Sequence, residues 1–417
     1  MIEKLGKRQV ALRLLLPFAF GYFLSYLYRT INAVLSPDLV AELGLAADDL
    51  GLLTATYFIT FGAAQLPLGI LLDRYGPRKV EALLLSLAAV GALLFALGSS
   101  MAELIVGRGL IGLGVSACLM AAFKGFTLWF PPARLPLVNG LIMAAGGLGA
   151  LTATAPVEAV LTFTDWRGVF MLLAGLTLVC ALTIFLLVPN APAQQNTQTL
   201  GAQLRGIERV FSDRFFWRVA PLAMLSQSSF ISVQSLWAGP WLRDVGGLAR
   251  ADAAELLLLV ALAMTTGFLA IGAIAERLSR LGIAPATVSA GGMSLFMLAQ
   301  LGLIIVPTGE WVAINWLLFG FFGTSGIVQY ASLSQHFERE LAGRVNTSIN
   351  LLVFVSAFCL QWSCGEIIAL WGQQGEGAYA TASYQAAFAM LLMLQLLALA
   401  WFLWSRERGP GQATARR

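Results

Sequence analysis

Long uninterrupted apolar stretches dominate this sequence and leave few folds open to it. A helix needs about 20 apolar residues to cross the hydrocarbon core of a bilayer. Twelve segments of that order stand out, at 12–35, 50–72, 80–98, 103–128, 137–160, 168–188, 217–242, 253–275, 284–306, 311–334, 345–370 and 384–404. Their apolar character is continuous instead of alternating, which excludes a membrane β-barrel. Charges are correspondingly scarce. Asp, Glu, Lys and Arg make up 12% of the 417 residues and apolar residues 58%, against roughly 25% and 45–50% in a soluble chain. A soluble fold of this size could not cover its surface with so few charges. The expectation is an all-α membrane protein of twelve transmembrane helices, which excludes soluble enzymes, nucleic-acid binders and secreted modules. The opening MIEKLGKRQV lacks a short apolar region followed by a cleavage site, so no signal peptide is expected and the first span is retained.

Charge placement sets the orientation. With both termini cytoplasmic, 21 of the 26 basic residues fall on that side, and only Arg29, Arg108, Arg167, Arg243 and Arg250 are left for the outer half. Acids lean the other way, through Asp38, Glu42, Asp48, Asp49, Asp165, Asp244, Asp252 and Glu310. The positive-inside rule therefore puts both termini in the cytoplasm. The net charge of +4 hints at an anionic partner, but most of it only orients the chain. The cysteines at 118, 180, 359 and 364 lie inside spans without a CxxC pair, so they read as small core packers, and no metal or cofactor is expected. Asn346-Thr347-Ser348 matches a glycosylation pattern but lies at a cytoplasmic helix start, which makes it a chance match.

One long stretch lacks a span. Residues 189–216 are rich in Pro, Gln, Asn and Thr and then turn basic, which predicts a cytoplasmic linker carrying a short amphipathic helix. It separates a six-helix bundle at 1–188 from a second at 217–417. The halves also echo one another. Gly69 and Asp73 end span two as Gly272 and Glu276 end span eight, both displaced by 203 residues. Phe130 and Asn139 open span five as Phe337 and Asn346 open span eleven, displaced by 207. Such duplicated units are typical of secondary transporters, whose sites lie near the midplane between the repeats.

The loop after span two reads Gly69-Ile-Leu-Leu-Asp73-Arg74-Tyr-Gly76-Pro-Arg78-Lys79. It resembles the signature G-x-L-x-D-R-x-G-x-R-K of the major facilitator superfamily, and Arg108 in GRGLIGLG of span four resembles that superfamily's second motif. The resemblance implies two pseudo-symmetric six-helix bundles with span two beside span eleven. Asp73 would then face the helix start near Arg344 and Asn346, where a carboxylate suits the partial positive charge. By symmetry Glu276, next to Arg277, would face the start of span five near Arg134. Gly69, Asp73, Arg74, Gly76, Arg78, Arg108, Arg134, Glu276, Arg277 and Arg344 together are expected to form a conformational latch on the cytoplasmic side.

An ionisable residue deep in a span is a functional candidate by default, and Arg29 is the clearest. Tyr22, Tyr26, Arg29 and Asn32 recur at i, i+4, i+7 and i+10, so they share one helix face. A planar guanidinium there is suited to gripping a carboxylate or phosphate with two bonds. The bland alternatives are snorkelling to the outer headgroups or a structural pair with an acid such as Glu158. The run from Arg29 to Pro37 and the segment Lys124-Gly-Phe-Thr-Leu-Trp129-Phe130-Pro131 are similar to spans one and four of the organophosphate:phosphate antiporters and organic-anion:cation symporters. That similarity implies an arginine meeting an anionic substrate, with Lys124 near it. The symporters' acids in spans one and four correspond here to Tyr28 and Val115, and the antiporters' span-seven arginine has no counterpart.

Tyr57, Gln227, Gln234, Trp237, Tyr330 and Asn350 are further expected substrate contacts, each open to the alternative of bonding a neighbouring helix. Glu158 and Glu366, near the outer ends of spans five and eleven, are the expected proton sites. His336, the only histidine, reads as a solvated residue at a loop edge. The function expected is proton-coupled uptake of a small organic anion, a carboxylate, by a monomeric secondary transporter of a bacterial inner membrane. The rivals are an anion exchanger, a drug or metabolite exporter, and a ligand sensor on the same fold. The absence of a P-loop argues against ATP-driven pumping, and span five lacks the Gly-Pro pattern of many drug:proton antiporters.

Overall fold

The computed structural model of the chain describes residues 7–130, 135–189, 200–305, 309–338, 341–374 and 378–405. They form eighteen α-helices and one short hairpin. In the N-terminal half these are α1 (Lys7–Thr30), α2 (Asn32–Leu43), α3 (Ala47–Tyr75), α4 (Pro77–Leu97), α5 (Met101–Val115), α6 (Cys118–Trp129), α7 (Leu135–Thr152), α8 (Ala155–Val160) and α9 (Trp166–Leu187). A connecting helix, α10 (Leu200–Phe211), follows. The C-terminal half contains α11 (Arg214–Ser232), α12 (Ala238–Asp244), α13 (Arg250–Arg280), α14 (Pro285–Ile305), α15 (Glu310–Phe322), α16 (Ile327–His336), α17 (Ala342–Ala369) and α18 (Thr381–Trp404). The hairpin pairs β1 (Gln373–Gln374) with β2 (Ala378–Tyr379). Among the described residues nine helices are long and apolar enough to cross a membrane, or ten if the bent pair α1–α2 is one span. Helix is the one regular structure that satisfies its own backbone in lipid without closing a barrel.

Several expected spans are broken rods, and the breaks have chemical causes. α1 and α2 meet at a 47° bend. Pro37 inside α2 has no N–H to give the Ala33 carbonyl one turn back. Gly239 of α12 lies against that carbonyl, where a Cβ would collide, so a proline on one half and a glycine on the other fit together. α7 and α8 part before Pro156 at the start of α8. α11 and α12 are joined by a π-helical turn at Val233–Trp237, ahead of Pro240, which cannot donate to the Leu236 carbonyl. α15 and α16 are joined by a 3₁₀ turn at Gly323–Gly326. α5 and α6 break at Ser116-Ala117, where the Ser116 hydroxyl donates to the Leu113 carbonyl at 2.7 Å. Insertions of this kind into a helix concentrate at functional places.

Close approach inside each bundle depends on glycine. A Cβ on Gly107 would lie 2.9 Å from the Gly91 carbonyl, which lets α5 press on α4, and Gly149 is packed directly on the Phe23 carbonyl. Such small-residue contacts replace the hydrophobic drive that lipid cannot supply. The two halves meet along α3 against α17, and along α7 and α8 against α13. Gly51 abuts the Gln361 carbonyl, and the rings of Phe61 and Phe354 lie 4.2 Å apart between centroids. Span two thus packs on span eleven and span five on span eight, the pairing that the repeat implies.

Candidate functional site

Between the halves lies a cavity of about 300 Å³. Arg29 of α1 forms its charged wall, buried to 8% exposure. Its guanidinium carbon lies 4.5 Å from the Tyr26 ring centroid, 5.3 Å from Phe61 and 5.2 Å from Phe354, so aromatic rings from both halves enclose it. Its Nε is buried without a hydrogen-bond partner. The ionisable groups acting on it are the phenols of Tyr57, Tyr26 and Tyr22, and no carboxylate among the described residues pairs with it. Cation–π contacts each contribute about 0.5–2 kcal/mol, short of what a buried, unpaired charge costs. The arrangement is a cation that lacks a matching anion.

The rest of the lining is polar at a few points. Tyr22, Tyr26, Gln227, Tyr330 and Asn350, all named above as candidate contacts, line the cavity. On the C-terminal wall the Tyr330 hydroxyl donates to Asn350 Oδ1 at 2.6 Å. Ser25, Gln65, Ser116 and Asn346 add polar groups. Ser25, Gln65 and Ser116 are not among the expected contacts, and Gln65 stands alone in an apolar run.

Other expected contacts serve packing instead. Asn32 is fully buried and donates to Thr54 Oγ1 at 2.8 Å, because the bend after Thr30 turns α2 out of the face carrying Arg29. The Tyr57 hydroxyl donates to the Ser25 carbonyl at 3.2 Å, behind the cavity lining, while its phenol stays beside Arg29. Gln234 reaches Met264 and Trp237 donates to the Gln361 carbonyl at 3.2 Å, since the π turn redirects this stretch of span seven. Lys124 does not line the cavity, although its neighbour Phe123 does.

The face opposite the termini is closed by ion pairs. Arg250 at the start of α13 donates through both terminal nitrogens to Asp38 of α2, at 2.8 and 2.6 Å. Its Nε donates to Glu158 of α8 at 2.9 Å. One guanidinium of the C-terminal half therefore clasps two carboxylates of the N-terminal half. The Ala47 N–H donates to the Tyr379 hydroxyl at 2.9 Å, and Asp244 accepts from Tyr384 at 2.6 Å. Glu158, expected beside Arg29 or as a proton site, belongs to this clasp, while Glu366 is exposed on α17 away from the cavity.

The expected latch is changed in two places. Arg108 is not at the latch: it is 1% exposed inside the N-terminal bundle, donates to the Tyr28 carbonyl at 3.2 Å and lies over the rings of Phe95 and Phe170. Glu276 pairs along its own helix with Arg280 at 2.5 Å, a one-turn spacing that needs no second helix. Arg134 and the Asp73 side chain lie outside the described residues. Gly76, at φ 79°, makes the tight turn between α3 and α4 that a side chain would strain. Arg74 stacks on Tyr75 and Arg78 on Phe185, Gly69 has open space beside it, and Arg277 is exposed. Arg344 lies against Gly206 of the connecting helix. Arg209 of α10 pairs with Glu338 at 2.9 Å, which holds α10 to the C-terminal half, and His336 meets Asp213, the cap of α11, at 3.5 Å.

Two helical halves thus enclose a central, largely apolar cavity with a few polar groups, and they are clasped at one face. Residues 18–360 match the Major Facilitator Superfamily, and the chain belongs to that family. It is 26% identical over 178 residues to a probable sulfoacetate transporter of Cupriavidus necator, covering 43% of this chain and 41% of that one. It is 27% identical over 171 residues to a probable L-galactonate transporter of Escherichia coli, covering 41% and 38%. The chain thus matches about two fifths of the length of these relatives. Among solved structures it superposes on a bacterial homologue of the human lysosomal transporter Spinster with a TM-score of 0.77 at 16% identity, over 96% of this chain and 98% of that one. That likeness concerns the fold.

Proposed function

We propose that the protein is a secondary transporter that moves a small organic anion, a carboxylate or sulfonate, across the membrane by alternating access. The observation that carries this reading is Arg29, a buried guanidinium ringed by aromatic side chains, with an unpartnered Nε and no carboxylate beside it. A ligand anion would complete it with two charge-assisted bonds, and Tyr330, Asn350 and Gln227 offer hydrogen bonds to hydroxyls further along the molecule. The names of the sulfoacetate and L-galactonate relatives agree with that ligand chemistry. The 1–188 and 217–417 halves act as the two rocking bundles of a twelve-helix protein, joined by the 189–216 linker.

Both termini face the cytoplasm on the charge distribution of the sequence, so the Asp38–Arg250–Glu158 clasp seals the outer side while the cavity serves the inner one. Opening that clasp, and closing the inner ends around the Asp73 loop, would carry the site to the other face. Transport is proton-coupled uptake on this reading. A thermal-shift screen of the purified protein against sulfoacetate, galactonate, phosphate esters, neutral sugars and lipophilic cations tests it. Stabilisation by the organic acids supports it, and stabilisation by the lipophilic cations alone overturns it in favour of an exporter of such compounds.

A further inference from the structure

One buried acid takes no part in the site described so far. Glu81 is 0% exposed, and its carboxylate oxygens meet no partner other than the Cys118 thiol. It sits on the second turn of α4, beyond the first turn where a helix start supports negative charge. Gly21 of α1 makes room for it, since a Cβ there would fall 2.6 Å from Oε1. The groups around it are the thiols of Cys118 on α6 and Cys180 on α9, and the latter is turned to the Pro17 carbonyl at 3.7 Å. Among the described residues no basic side chain acts on it. On its own helix Arg78 stacks on Phe185 and Lys79 is exposed. An isolated carboxylate in such surroundings is far too costly to persist, so the group carries a proton. A metal cation is a poor alternative, because hard cations need six or more oxygens and the neighbours here are sulfur.

The residues neighbouring Glu81 adjoin the cavity lining in sequence on two helices. Tyr22 follows Gly21 and lines the cavity, and Leu119, next after Cys118, and Ser116, two before it, line it as well. The rod formed by α5 and α6 is broken at this level, at Ser116-Ala117. We propose that Glu81 is the proton-carrying site of the transporter, exchanging its proton with cavity water through the seam between α1 and the Ser116-Ala117 break. In that step the carboxyl O–H bond breaks, water takes the proton as hydronium, and a carboxylate is left until the next proton arrives. The proposal rests on the transport reading above for its purpose and on the burial of Glu81 for its chemistry.

Two measurements keep these apart. Infrared difference spectra of the purified protein, titrated from about pH 5 to about pH 10, read the carbonyl stretch of a protonated carboxyl without any substrate. The band should be present, fall with rising pH, and be missing from Glu81→Gln. A band that stays constant across the range makes Glu81 a fixed neutral packing group and overturns the proposal. In vesicles loaded for sulfoacetate or galactonate transport, Glu81→Gln should lose at least about tenfold of the accumulation driven by a pH gradient while anion counterflow stays within about twofold. Accumulation equal to wild type overturns the proposal. Where Glu81→Gln fails to fold, Glu81→Asp and the wild-type titration carry the same two readings. If wild type moves neither anion, the anion reading fails while the infrared result still decides whether Glu81 exchanges a proton.

Discussion

Arg29 lies over Tyr26, with its guanidinium carbon 4.5 Å from the ring centroid. The two residues are one turn apart on α1, and no carboxylate among the described residues offsets the charge. The rings of Tyr26, Phe61 and Phe354 hold the guanidinium at the cavity wall. Arg29→Lys keeps the charge but loses the fork, so binding of a stabilising carboxylate should weaken about 10- to 100-fold, the worth of about 1.5–3 kcal/mol for a charge-assisted bond. Titration calorimetry on the purified variant checks this, and unchanged affinity would reduce Arg29 to a structural role.

The clasp makes a separate prediction. Arg250 is the sole cation bonded to Asp38 and Glu158 among the described residues, and its side chain is about a third exposed. Solvent screening limits such pairs, so Arg250→Ala should cost about 1–2 kcal/mol of closure. Ser36→Cys, placed just under the clasp, should react with a membrane-impermeant maleimide about 5- to 30-fold faster in the Arg250→Ala background. Equal rates would mean that the packing of α2 on α12 closes this face without the ion pairs.

Specificity for the ligand's far end is assigned to the C-terminal wall. Tyr330→Phe removes the hydroxyl that donates to Asn350 at 2.6 Å and leaves that amide oxygen in the cavity. The loss is about 1 kcal/mol for a ligand that uses this pair. Affinity for a hydroxylated acid such as galactonate should fall about fivefold, with less change for sulfoacetate. Equal losses for both would indicate a general effect on the cavity.

Glycine contacts predict stability in a position-dependent way. Gly149→Ala forces a methyl against the Phe23 carbonyl, whereas Gly272→Ala meets open space. Overpacking at the first should cost about 1–3 kcal/mol and lower the melting temperature in detergent. The second should leave it unchanged or raise it slightly, because alanine favours helix. A neutral Gly149→Ala would show that α1 and α7 are not pressed together as described.

Much of this was legible in the chain because bilayers impose simple rules. Apolar length marks spans, basic residues mark one face, and a lone Arg29 inside a span stands out against its surroundings. The Gly69/Gly272 and Asp73/Glu276 echoes pointed to paired halves, and the α3–α17 and α7–α13 contacts follow that pairing. What could not be read was direction around each helix after a break. The bend beyond Thr30 removed Asn32 from the site, and the π turn at Val233–Trp237 did the same to Gln234 and Trp237. The break at Ser116-Ala117 has no proline to announce it. Glu81 was hidden for another reason: two residues after Arg78-Lys79 it looks like one more charge at a helix end, and only the Gly21 recess shows that it turns inward.

The central claim is that Arg29 is a cation awaiting a ligand anion, and paired melting curves test it most directly. Wild-type protein should gain several degrees in the presence of sulfoacetate or galactonate at concentrations well above their dissociation constants. Arg29→Gln should be at least as stable as wild type when empty, since removing an unpaired buried charge relieves its desolvation cost, and should gain nothing from either anion. A variant that loses stability when empty, yet is still stabilised by the anions as strongly as wild type, would contradict the claim.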